Sequence, residues 1–234
     1  MLILGFDSAT SACSAALCHD GDTLAHRFEV MAQGQAEFLM GMINEVMEEA
    51  GKGYGDLDLL AVTTGPGSFT GLRIGLAAAR GLALAGDLPC LGITTFEAVA
   101  AGVPETEWDG ATLLVAIDSK REDIYVQLFA AGLEPLSAPQ AVLPEALATA
   151  MDCPSITEER VLVVGDAGQR SIASLKGAGL EVALSNALGT PDAGTLAALT
   201  ARRWSPYSPN ERPRPLYLKA PDAKMPKDGG RLRP

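Results

Sequence analysis

The chain has 234 residues, enough to bury a sizeable core in one domain or two lobes. With 29 acidic against 18 basic residues it carries a net charge of −11, a field that repels phosphate and leaves only a local patch for any direct contact with nucleic acid. The first residues lack a basic stretch and are interrupted by Asp7, and no segment has the unbroken apolarity of a membrane span, so the composition reads as a cytoplasmic protein with no signal peptide. Cys13, Cys18, Cys90 and Cys153 are scattered without metal-ligand spacing, which reads as reduced core thiols.

Leu2 to Phe6 is a short apolar run ending at Asp7 and reads as a central strand. Ser8 to Ser11 make a polar turn, Cys13 to Cys18 a second strand, and His19-Asp20-Gly21-Asp22 a hairpin turn leading to a third strand over Leu24 to Val30. Gln35 to Ala50 is a helix whose Phe38, Leu39, Met42, Ile43, Val46 and Ala50 share one face, with Met40 and Met47 widening it. Leu59 to Val62 is a buried strand. Three hairpin-joined strands followed by a helix, a strand and a helix form the half-unit of actin-like and sugar-kinase-like proteins. In catalytic members an acidic residue at the place of Asp7 helps organise a metal. The alternative is an aspartate that caps its own loop, and that reading is favoured here.

The string that follows, Gly65-Pro66-Gly67-Ser68-Phe69-Thr70-Gly71-Leu72-Arg73-Ile74-Gly75, is a tight turn and a helix start. Ser68 or Thr70 can cap the helix, and the turn could hold an anion there or serve as plain punctuation between strand and helix. The whole string resembles the signature of the TsaB (YeaZ) family. The resemblance also takes in Asp7-Ser8-Ala9-Thr10 and Leu88 to Ile93, and it fades after about Phe129. It implies a two-lobed α/β fold of the actin-like, sugar-kinase-like (ASKHA) class with mixed sheets. It further implies an accessory role beside the TsaD enzyme, which forms threonylcarbamoyladenosine next to the tRNA anticodon, and a third component, the ATPase TsaE. Along the helix after the turn, Gly71, Gly75, Ala78, Leu82 and Ala85 fall on one face, suited either to the protein's own sheet or to a helix of a second chain.

Leu91 to Ile93 is the next strand. TsaD-like enzymes carry two histidines four residues apart just beyond it, a spacing that binds metal. The corresponding residues here are Thr95 and Val99, so no metal centre is expected. His19 and His26 read as surface residues. Val103 to Gly110 is a polar connection, and the lobe boundary is placed there: a first lobe over 1–103, a second over 111–220, and a basic, mobile tail over 221–234. Leu113 to Asp118 and Ile124 to Phe129 repeat the opening pattern, so that Asp118-Ser119 mirrors Asp7-Ser8. A short helix over Val142 to Met151, a strand over Val161 to Asp166 and a last helix over Thr195 to Trp204 follow, and Leu216-Tyr217-Leu218 is expected to dock. Gly165-Asp166-Ala167-Gly168 matches only part of an adenosine-holding motif.

Three functions compete. An ATP-binding phosphotransferase of the ASKHA type would use Asp7, Ser8 and Gly165 as nucleotide contacts, but a general base and an adenosine clamp are missing from the pattern. A metalloprotease would need the ligands that Thr95 and Val99 replace. A scaffold without catalytic residues or cofactor, bound to a TsaD-type paralogue through Met40, Met47, Gly71, Gly75, Ala78 and Leu82, accounts for the motif and is the preferred reading. It comes with a weak homodimer and with tRNA reached only through the complex.

Overall fold

The computed structural model describes residues 1–108, 110–150, 160–207 and 212–219. Strands β1 (Leu2–Asp7), β2 (Ala12–His19) and β3 (Asp22–Val30) form an antiparallel meander. Helix α1 (Gln35–Glu49) leads to β4 (Leu59–Thr63), which lies parallel to β1, and α2 (Phe69–Gly86) leads to β5 (Cys90–Ile93), parallel to β4. The sheet order is β3-β2-β1-β4-β5. β1 is buried along its whole length, which is why its apolar run is continuous, whereas the edge strand β3 is mostly exposed and polar.

After helices α3 (Thr95–Ala101) and α4 (Glu105–Trp108), a second sheet repeats the scheme. β6 (Thr112–Asp118) pairs antiparallel with β7 (Ile124–Ala130), to which β8 (Glu134–Pro135) and β9 (Gln140–Val142) add. Helix α5 (Leu147–Ala150) precedes β10 (Val161–Val164), parallel to β6. Then come α6 (Gly168–Gly177), β11 (Val182–Leu184) and α7 (Ala193–Arg203), in a sheet of order β11-β10-β6-β7-β8. In both sheets a central strand ends in aspartate, with an antiparallel neighbour on one side and a parallel one on the other. This is the two-lobed ASKHA arrangement expected from the pattern.

The helices do not keep to consecutive halves of the chain. Leu196, Ala197 and Leu199 of α7 pack with Ile3, Ala16 and Ala61 of the first sheet. A Cβ on Gly5 would lie 2.7 Å from the Ala193 carbonyl oxygen, so β1 needs glycine where α7 crosses. Conversely, Phe96, Val99 and Ala100 of α3 pack with Leu113, Val115 and Phe129 of the second sheet.

The differences from expectation are local. The connection over 103–110 contains α4, which forms because Trp108 is buried in the second lobe's core and bonds the Val103 carbonyl through its indole N–H at 3.4 Å. The helix expected over Val142 to Met151 is split into a 3-10 turn at Pro144–Ala146 and the single turn of α5, and Met151 lies outside the described residues. α6, β8, β9 and β11 are additions. Cys13, Cys18 and Cys90 are free thiols, while Cys153 and the tail over 221–234 lie outside the described residues.

Residues 212–219 run back along α2. The Leu216 N–H bonds the Thr64 carbonyl at 2.7 Å, Arg80 Nη2 donates to the Pro213 carbonyl at 2.8 Å, and Lys219 reaches Asp123 of the second lobe at 2.9 Å. The expected docking of Leu216 to Leu218 is thus present, with Leu218 packed on the second lobe's core. Among the described residues, no helix is long and apolar enough to cross a membrane.

Candidate functional site

The β1–β2 loop lies directly on the glycine turn and the start of α2. A Cβ on Gly67 would collide with the Ala9 carbonyl, and one on Gly71 with the Ser8 carbonyl. A Cβ on Gly75 would lie 2.9 Å from the Ser8 hydroxyl. The three glycines make room for this crossing. Ser68 N–H bonds the Ala9 carbonyl at 2.7 Å, and the Ser68 hydroxyl accepts the Gly71 N–H at 3.3 Å, so Ser68 is the cap and Thr70 is exposed. Two of the N–H donors at this helix start, those of Ser68 and Gly71, are occupied by the chain itself, which favours the structural role of the turn.

Asp7 caps its own loop: Oδ1 accepts the Ala9 N–H at 3.0 Å and the Thr63 hydroxyl. Oδ2 is buried without a hydrogen-bond partner among the described residues. Burial pushes the Asp7 carboxyl up to about 7, against the lowering effect of its hydrogen bonds from Thr63 and from the backbone at Ala9 and Ser8. Ser8 is buried and its hydroxyl donates to the Gly71 carbonyl at 2.9 Å.

Asp118 repeats this turn, accepting the Lys120 N–H at 2.9 Å, but it is partly exposed and paired with Lys120 at 3.2 Å and Arg170 at 3.1 Å. Gly165 follows β10 at φ 118°, where a side chain would collide with the Ala116 carbonyl. The next residue, Asp166, accepts the Asp118 N–H at 2.7 Å and faces Ser11 of the first loop at 3.4 Å. Burial raises the Asp166 carboxyl above its usual range, helped by the nearby charge of Asp118. The nucleotide candidates Asp7, Ser8 and Gly165 therefore lie at the start of two loops that meet at Ser11 and Asp166, and each is tied into the packing around it.

Thr95 and Val99 are both buried on the core side of α3. The helix is capped by Thr94, which accepts the Glu97 N–H at 3.1 Å while Glu97 returns to the Thr94 N–H at 2.9 Å. His26 is at the surface, as expected, and lies 2.6 Å from Asp192, the cap of α7, which links the first hairpin to that helix.

The proposed interface residues divide. Met47 is buried in the first lobe's core, and Gly71 and Gly75 face the Ser8 loop, so none of the three is at the surface. The small-residue face of α2 is the inward one, because the incoming loop needs the space. Ala78 and Leu82 are half-buried against the core shared with α1, while Met40, Phe38, Ala77 and Gly81 are exposed.

The profile of the TsaD family, described as tRNA N6-adenosine threonylcarbamoyltransferase, matches residues 29–184. The Escherichia coli (strain K12) protein named tRNA threonylcarbamoyladenosine biosynthesis protein TsaB is 41% identical over 128 residues, 53% of each chain. Its Haemophilus influenzae namesake is 34% identical over 125 residues, 53% of this chain and 52% of the relative. The match spans about half the length of these curated relatives. A Pseudomonas aeruginosa crystal structure, described as an uncharacterized protein with similarity to peptidase YEAZ, superposes with a TM-score of 0.78 at 25% identity, covering 93% of this chain and 99% of the other. The chain belongs to the TsaD family, on its TsaB (YeaZ) branch.

Proposed function

We propose that this chain is a non-catalytic partner of a TsaD-type paralogue in forming threonylcarbamoyladenosine next to the tRNA anticodon. The observation that carries the reading is the similarity to proteins named for that pathway. It is supported by Thr95 and Val99, buried side chains at the positions where catalytic relatives place two histidines. The chain would stabilise the active arrangement of the paralogue in the cytoplasm, in an assembly on which a TsaE-type ATPase acts. It would form a weak homodimer when alone, and tRNA would meet it only within the assembly. The two lobes would divide at the connection over 103–110. Nucleotide binding by Asp7, Ser8 and Gly165 is the less supported reading, since Ser8, the bonded oxygen of Asp7 and the backbone at Gly165 are committed to internal packing.

The contact would lie on the exposed flank where α1 and α2 pack side by side. Met40, Ala77 and Gly81 are exposed there, beside half-buried Ala78 and Leu82. The paralogue's equivalent helices would meet these across a pseudo-twofold axis. Burying an unpaired charge in such a seam costs several kcal/mol, about 3–5 by analogy with broken buried pairs. Met40→Glu and Ala77→Glu should therefore keep a native circular dichroism spectrum yet elute apart from the paralogue in size exclusion. Wild-type heterodimer from both variants would refute this interface, and failure of the unaltered chain to co-purify with a TsaD-type protein would refute the function.

A further inference from the structure

We infer that the outer face of α2 and the segment over 212–219 form a surface for single-stranded or looped RNA, which rests on the proposed role in a tRNA-modifying assembly. Arg73, Arg80, Arg212 and Arg214 are exposed, and none has a carboxylate within 4.0 Å among the described residues. That is notable in a chain with 29 acidic residues, where Arg27, Arg170 and Arg203 are paired. Contacts join the four into one patch. Arg80 and Arg212 line a cavity of about 260 Å³ whose one carboxylate among the lining residues is Asp87. Arg80 binds the carbonyl of Pro213, between Arg212 and Arg214. Arg73 lies two helical turns before Arg80, about 10.5 Å along the axis, and its Nε donates to the Tyr217 hydroxyl at 3.4 Å.

The patch also carries flat surfaces. The Arg73 guanidinium lies 3.7 Å from the Phe69 ring centroid, and the Phe69 and Tyr217 rings are 5.6 Å apart. Phe69 is 51% and Tyr217 45% exposed, an unusual outlay of aromatic area at a surface. Guanidinium planes and aromatic rings are the groups on which unpaired bases stack, and unneutralised arginines attract the phosphates between them. The patch borders the proposed interface flank on α2: Ala77 lies one turn from both Arg73 and Arg80 on the same exposed face, and Gly81 one turn beyond Ala77.

The test uses the co-purified pair of this chain and its paralogue, with a fluorescein-labelled tRNA anticodon stem-loop as probe, titrated at several salt concentrations. The combined substitution Arg80→Gln, Arg212→Gln, Arg214→Gln should keep pairing in size exclusion and flatten the slope of log affinity against log salt by about 2, at about 0.7 per phosphate contact. Tyr217→Leu should weaken binding roughly 5-fold or more with the slope unchanged, and Tyr217→Phe should restore it. An unchanged slope in the triple variant, with pairing intact, overturns the inference and leaves the proposed function standing. Loss of pairing in the triple variant also overturns it, assigning the arginines to the protein partner. If the unaltered chain does not pair at all, the proposed function falls. The same slopes measured on the chain alone at low salt then decide the RNA surface separately.

Discussion

Replacing Asp7 by asparagine should remove a pH dependence of stability that spans about pH 4 to 7. In the folded chain burial holds the proton on Asp7 up to about 7, while the unfolded chain releases it near 3.8. The raised value means that the stabilising effect of the protonated group is fully present below 3.8 and is lost as pH rises through about 7. At 1.36 kcal/mol per pH unit, the rise from 3.8 to about 7 corresponds to about 4 kcal/mol. Asparagine is neutral throughout and keeps an oxygen for the Ala9 N–H and the Thr63 hydroxyl. Its amide nitrogen would sit where Oδ2 has no partner, at a cost of about 1–3 kcal/mol. Asp7→Asn should therefore be more stable than the unaltered chain at pH 8 by about 1–3 kcal/mol and less stable near pH 4 by a similar amount. Urea unfolding followed by circular dichroism at intervals from pH 5 to 8 measures the difference, which should change by about 1.4 kcal/mol per pH unit between pH 5 and 7. Taking the difference between the two proteins cancels the contributions of the other groups, which the two share. Parallel profiles would refute the reasoning.

Gly71→Ala should destabilise the chain by about 1–3 kcal/mol, because the new methyl meets the Ser8 carbonyl, whereas Gly81→Ala, with open space around it, should stabilise the isolated chain by up to about 1 kcal/mol; thermal melts decide both. Met47→Glu should unfold the chain or lower its melting temperature sharply, since a charge enters the first core, while Met40→Glu should leave the melt almost unchanged. Elemental analysis of protein purified without chelator should find no stoichiometric zinc or iron, the outcome that Thr95 and Val99 imply. The chain alone should show no enzymatic ATP hydrolysis, and any background phosphate release should survive Asp7→Ala; a robust turnover abolished by that substitution would remove the scaffold reading.

The central strands were legible because both of their faces are buried, which leaves unbroken apolar runs at Leu2 to Phe6 and Leu113 to Ile117. The cap at Ser68 and the self-capping turn at Asp7 were legible for a related reason: each is a local bond between neighbours in sequence. What failed to show was nonlocal. Helix α6 buries only Gly168, Ser171 and Leu175, too thin a stripe to signal a helix. Periodicity placed Gly71, Gly75, Ala78 and Leu82 on one face but could not say what lay against it: at Gly71 and Gly75 it is a loop from Ser8, more than sixty positions earlier, and at Ala78 and Leu82 the core shared with α1. The patch at Arg80 and Arg212 was invisible for the same reason, as its halves are joined only by the docking of the returning segment.

The position of α7 has a consequence for the order in which the protein can mature. The apolar side of the first sheet formed by Ile3, Ala16 and Ala61 is covered by Leu196, Ala197 and Leu199, which are synthesised well over a hundred positions later. Until Leu196 and Ala197 emerge from the ribosome, that side lacks the cover of α7, and His26 lacks Asp192. The amino-terminal sheet thus cannot finish as an independent early unit, in contrast to the usual domain-by-domain sequence of events during translation. A nascent chain halted after the second sheet would expose a hydrophobic surface of just the kind that chaperones hold.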